Sequence, residues 1–197
     1  MILGTDFEGK TAWHMAAYCC KLENLKIVWE WAKDSLTTEE INYNLLLGTD
    51  NEGKTAWHLA AKWGNVENLQ KLWEWANEKL TIEEINNNLL LGTDSEGRNV
   101  FHLAAELGRQ KVLVELWDWA IEKLTTEKIN TNLLLATDND GRTVFHMAVK
   151  CGGLELLQKV WEWANENLTS EEINNNLLLT TDDEGRTIFY MQQSAVE

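Results

Sequence analysis

The sequence predicts an all-α protein, a solenoid of stacked helical repeats, on three observations. Thr-Asp recurs at 5/6, 49/50, 93/94, 137/138 and 181/182, a constant step of 44 residues, and self-similarity at a fixed period marks repeat architectures. Between these markers apolar residues return at three- and four-residue steps, the spacing of a helix face. The chain of 197 residues contains no proline and is 44% hydrophobic and 25% charged, a composition that supports a packed core rather than disorder. The units are 5–48, 49–92, 93–136 and 137–180, with a partial fifth at 181–197, so residues 1–197 form a single domain with no stretch left for a linker.

Each unit opens with Thr-Asp-x-acid-Gly, as in Thr49-Asp50-Asn51-Glu52-Gly53. Asp and Asn form side-chain turn bonds and Gly tolerates positive φ, so this segment is an exposed loop. Thr55 to Lys62 follows as a short first helix, buried on most sides because Ala56, Trp57, Leu59, Ala60 and Ala61 leave few polar positions. Gly64, Gly108 and Gly152 stand where a left-handed residue would close it.

A second helix is expected from about Val66 to Lys79, with Val66, Leu69, Leu72, Trp73, Ala76 and Leu80 along one face and Glu67, Gln70, Lys71 and Glu74 along the other. Thr81-Ile82-Glu83-Glu84 then reads as a capping box that starts a third helix, with Ile85, Leu89 and Leu90 turned inward at steps of four and five. Trp73 lies on the apolar stripe of the second helix, whereas Trp75 points roughly 200° away around the axis. Trp75 and its equivalents are therefore expected to pack against the third helix.

The run Gly53-Lys54-Thr55-Ala56-Trp57-His58-Leu59-Ala60-Ala61-Lys62-Trp63-Gly64-Asn65 resembles the ankyrin repeat, whose usual order is Gly-x-Thr-Pro-Leu-His-x-Ala-Ala-x-x-Gly-His. The likeness returns in phase in all four full units and in part in the fifth. It implies antiparallel helix pairs with projecting hairpin-like loops, stacked into a curved solenoid that binds proteins. The family period is about 33 residues, and the surplus here is the third helix. Where the family closes its second helix with Gly, this chain has Ala32, Ala76, Ala120 and Ala164, so that helix can run on. Ala12, Ala56, Val100, Val144 and Ile188 take proline's usual place, and Cys20, Asn99 and Tyr190 replace Gly, Thr and His of the pattern.

A residue present in every unit more plausibly builds the stack than performs a unique reaction. His14, His58, His102 and His146 form one column, and units about 10 Å apart cannot share zinc bonds of about 2 Å. The resemblance implies that these histidines hydrogen-bond neighbouring loops. Eight of the 11 tryptophans are the Trp-x-Trp pairs 29/31, 73/75, 117/119 and 161/163, Trp13 and Trp57 stand at the family's Leu position, and Trp63 alone follows no repeat rule. Cys19 and Cys151 each follow a histidine by five residues, which sets the pair roughly 140° apart on a helix and argues against a nucleophilic dyad. Glu39/Glu40, Glu83/Glu84 and Glu171/Glu172 are helix-start residues favoured by the dipole. Phosphate-loop, dinucleotide, metalloprotease and nucleophile-elbow motifs do not occur. No catalytic residue, cofactor or metal is therefore expected.

With 32 acidic and 17 basic residues the formal charge is −15, which argues against nucleic acid or a membrane surface as partner. No segment is a signal peptide or a membrane span, and three cysteines in a chain of this length suit a reducing compartment, cytoplasmic or nuclear. The Asn167-Leu168-Thr169 sequon would matter only in a secreted chain.

Function is expected in columns that vary between units on surfaces the resemblance places on the concave side. The loop column is Phe7, Asn51, Ser95, Asn139 and Asp183, and the first-helix column is Tyr18, Lys62, Glu106 and Lys150, flanked by Cys19, Trp63, Leu107 and Cys151. A basic column, Lys10, Lys54, Arg98, Arg142 and Arg186, follows an acidic residue by two in each loop. It reads either as a clamp for a carboxylate-bearing partner or as a ladder of surface ion pairs between adjacent loops. The reading is a non-enzymatic protein-protein interaction module, with partner-binding residues Phe7, Lys10, Tyr18, Asn51, Lys54, Lys62, Trp63, Ser95, Arg98, Glu106, Leu107, Asn139, Arg142 and Lys150. The alternative is a structural scaffold or an engineered or truncated array with no dedicated partner. Met1-Ile2-Leu3-Gly4 matches Leu45-Leu46-Leu47-Gly48, and neither end reads as a polar cap, so end-to-end self-association is also expected.

Overall fold

The 44-residue period appears in space as four copies of one helical unit. A computed structural model describes residues 2–19 and 21–190. Met1, the irregular Cys20 and residues 191–197 of the partial fifth unit lie outside them. The first helices are α1 (Ala12–Tyr18), α4 (Ala56–Trp63), α7 (Val100–Glu106) and α10 (Val144–Cys151). The second are α2 (Leu22–Ser35), α5 (Val66–Lys79), α8 (Gln110–Lys123) and α11 (Leu154–Asn167), each 14 residues long. The third begin with the short α-helical turns α3 (Thr38–Glu40), α6 (Ile82–Glu84), α9 (Thr126–Ile129) and α12 (Ser170–Glu172). No strand occurs among the described residues; Thr5 and Thr11 form an isolated bridge across their loop, as do Thr49 and Thr55, and Thr137 and Thr143.

Three of the first helices, α1, α4 and α10, start at a Thr whose hydroxyl accepts from the backbone amide three residues on, with His at that third position reaching back; α7 starts at Asn99, whose Oδ1 accepts from the Phe101 and His102 amides. Gly64 and Gly152 close two of them in the left-handed conformation, at φ of 78° and 72°, as their place in the repeat predicts. The second helices run without a break past Ala32, Ala76, Ala120 and Ala164, all buried.

The third helix departs from a plain α-helix. After one capped α turn it widens into a π-helix at Ile41–Leu46, Ile85–Leu90, Asn130–Leu134 and Ile173–Leu178. The Leu91 amide accordingly donates to the Asn86 carbonyl, five residues back, at 2.9 Å. Ile85, Leu89 and Leu90 are spaced by four and five, and the wider turn lets all three enter the core together, where all are buried. Each segment is tied to the next unit by an asparagine: the Asn42, Asn86 and Asn130 side-chain amides donate to the carbonyls of Lys79, Lys123 and Asn167 at 3.0, 3.2 and 2.8 Å.

Each first helix packs on the first helix of the next unit along buried alanines such as Ala16, Ala17, Ala60, Ala61, Ala104 and Ala105. The second helices stand further apart, and indoles fill the space between them. Trp75 is buried as expected, but its ring lies flat on Trp29 of the preceding unit, with centroids 4.3 Å apart, and 5.7 Å from Trp13. The expectation named only the third helix; in the second, third and fourth units the second indole of the pair reaches back to the first indole of the unit before it. Trp119 stacks on Trp73 at 4.6 Å and Trp163 on Trp117 at 4.3 Å. A side chain on the far side of one helix faces the neighbouring unit, which the wheel of a single helix cannot show.

Candidate functional site

The loops are held by their aspartates. Asp50 Oδ1 accepts from the Glu52 and Lys54 amides at 3.0 and 2.9 Å, and Gly53, at φ 73°, turns the chain back. Neighbouring loops are joined by the residue at the variable position, whose amide donates to the preceding loop: Asn51 to the Glu8 carbonyl, Ser95 to Glu52, Asn139 to Glu96 and Asp183 to Asp140, all at 2.8 to 2.9 Å. Asn51 and Asn139 also donate their side-chain amides to the Phe7 and Ser95 carbonyls, at 3.0 Å each. Asn51 and Asn139 each spend one side-chain N–H within the stack and remain exposed, as do Phe7 and Ser95.

The basic column divides along its length. Lys54 and Arg98 are only 3% and 5% exposed, so neither is free to reach a partner, which corrects their assignment. Arg98 bonds Asp94 through Nε and Nη2 at 3.1 and 2.9 Å, and also pairs with Glu96 at 2.9 Å. Burial raises the Asp94 carboxyl, but the Arg98 guanidinium and the loop amides outweigh it and hold the group below the ordinary carboxylate range. Lys54 pairs with Glu52 of its own loop and comes within 3.8 Å of Asp94 in the next. The expected ladder of exposed, loop-to-loop pairs is thus largely a set of pairs inside each loop, with Asp94 and Asp138 fully buried. Lys10 and Arg142 remain partly exposed, paired with Glu8 at 2.6 Å and with Asp138 and Asp140 at 2.8 and 2.6 Å.

The histidine column ties the start of each first helix to the last residue of its own unit, just before the next loop. His14, His58, His102 and His146 place Nε2 against the carbonyls of Gly48, Gly92, Ala136 and Thr180, at 3.1 to 3.2 Å. A carbonyl only accepts, so Nε2 carries the proton in each bond. Nδ1 meets the capping hydroxyl of Thr11, Thr55 and Thr143 at 2.8 to 2.9 Å. Burial pushes all four imidazoles below their ordinary pKa.

The remaining candidates form a stripe along the first helices. Tyr18 and Trp63, each 40% exposed, meet edge to face with centroids 4.9 Å apart. Leu107 is exposed in the next unit, and Lys150 in the one after. Between them Glu106 lies 4.0 Å from Lys62 and 3.7 Å from Arg98. An aromatic pair, a leucine and a partly satisfied charge cluster on rigid helices can hold an apolar anchor and orient a polar group beside it. Sequence reading did not find a cavity of about 390 Å³ between Phe145 and Trp161 at the far end of the stack. The Trp-x-Trp spacing was the available signal.

No family model matches the chain, and none of the curated proteins matches it. The fold defines a class: an all-helical protein of stacked 44-residue repeats. No helix among the described residues is long and apolar enough to cross a membrane.

Proposed function

We propose that this chain is a non-enzymatic protein-interaction module of the ankyrin-like kind, binding a protein partner through the surface of its loops and first helices. The observation that carries this reading is the stripe of Tyr18, Trp63 and Leu107, exposed on helices whose other faces are fixed in the stack. Close packing of the first helices on alanine, beside second helices spaced by indoles, supports a concave surface on the first-helix side. A preorganised surface of this kind loses little entropy on binding. Phe7 extends the stripe at the loop end, and Lys62, Glu106 and Lys150 supply charge beside it.

The test is retention of partners from cell extract on the immobilised chain, beside a Tyr18→Ala, Trp63→Ala, Leu107→Ala version of equal helix content by circular dichroism. A protein held only by the unaltered chain supports the reading and locates the face. Equal retention by both, or none by either, favours the structural scaffold, for which the regular indole stacking between units is the supporting observation.

A further inference from the structure

The indole contacts between units form a series with an open seat at one end. Trp29, Trp73 and Trp117 are each covered by the indole of the following unit and are buried. Trp161 holds the same position in the fourth unit, yet it is 37% exposed, and its one aromatic neighbour among the described residues is Phe145, tilted at 5.8 Å. The 390 Å³ cavity lies against both rings. Its other walls include Val149, Leu157, Leu178 and Ile188, which repeat at 44-residue steps the positions of Ala17, Leu25, Leu46 and Ala56 in the first units. Phe145 and Trp161 likewise repeat Trp13 and Trp29, the two rings onto which α5 lays Trp75.

We propose that this cavity is a docking seat for an amphipathic helix that presents a tryptophan, lying beside α11 as α5 lies beside α2. The occupant's chemistry follows from continuity with an interface the chain makes three times: an indole stacked on an indole, from a helix with an aliphatic residue three positions before it, as Leu72, Leu116 and Val160 precede Trp75, Trp119 and Trp163. A second copy of this chain fits poorly. Its exposed Trp31 sits on α2, but α1 is packed against α2, and residues 188–190 already form a helical start at the register of α1 in the fifth unit. An isolated helix meets no such obstacle.

The probe is a helix-stapled peptide of the α5 sequence, residues 66–79, labelled with fluorescein and titrated with the full chain by anisotropy. Saturable binding is expected, weakened tenfold or more when the peptide carries Trp75→Ala and when the protein carries Trp161→Ala, but unchanged by Trp31→Ala. The Trp161→Phe protein, which keeps an aromatic floor, retains part of the affinity and separates loss of the seat from loss of the fold. Absence of saturable binding, or binding indifferent to Trp161, overturns the proposal. So does concentration-dependent self-association in sedimentation that Trp31→Ala abolishes, because the occupant is then a second copy.

Discussion

Lysine and arginine at one loop position have different consequences. Arg98, Arg142 and Arg186 each bond the second carboxylate oxygen of their own loop's aspartate. Lys54 turns to Glu52 instead, and the buried Asp50 Oδ2 is left without a partner. Arginine's fork reaches the aspartate and a second carboxylate together, which a single ammonium cannot do. Lys54→Arg is therefore expected to stabilise the protein by about 1 kcal/mol, read from urea denaturation, since it satisfies a buried acceptor. The histidines set the response to pH. Their folded-state pKa values are depressed by burial, so their contribution to stability is complete above about pH 6.5 and is lost as pH falls through the folded values, because the unfolded chain takes up protons first. The carboxyls of Asp94, Asp182, Glu52 and Glu84 are also depressed, and their contribution is lost in a second window below about pH 4. A urea midpoint that stays level between pH 7.5 and pH 5 would contradict the histidine assignment.

Among the elements, the third helix depends most on its start. Thr37, Thr81 and Thr169 cap it reciprocally with Glu40, Glu84 and Glu172, but in the third unit Lys128 stands where the glutamate would. Thr125 still accepts from the Lys128 amide, and nothing reaches back to the Thr125 amide. Lys128→Glu restores the return bond and exchanges a cation for an anion near the positive end of the helix. It is expected to add about 0.5 kcal/mol, visible as a small rise in thermal midpoint at low salt. The capping box, the helix and its inward residues were legible because they depend on contacts within ten residues of sequence. Its π-helical turn was not stated from sequence, although the steps of four and five from Ile85 to Leu89 and Leu90 were its sign.

At the scale of the whole molecule, each unit is completed by the next. Trp75 is buried between two units, whereas Trp31, the same position in the first unit, is 58% exposed because no described residue offers it an indole. Trp75→Ala is therefore expected to cost about 3–5 kcal/mol and Trp31→Ala well under half of that, by chemical denaturation of each variant. Equal losses would place the stabilisation within each unit instead of between units. Nearest-neighbour coupling of this kind also means that loss of one interface divides the array into separately unfolding parts. An asymmetric or two-step transition in the Trp75→Ala chain is the corresponding sign.

The sequence by itself determined the period, the three helices of each unit, their caps and most of the core, because these follow from spacing along a single helix and from residues repeated in phase. It also brought Tyr18, Trp63 and Leu107 to notice as departures from the repeat, and the structure leaves them exposed. Only the tertiary structure decided what lies between units. It buried Lys54 and Arg98 among carboxylates, used the side chains of Asn51 and Asn139 to join loops, and turned Trp75 onto Trp29. Those outcomes depend on the distance between two stacked units, about 44 residues apart along the chain, and the periodicity of either unit alone does not contain that distance.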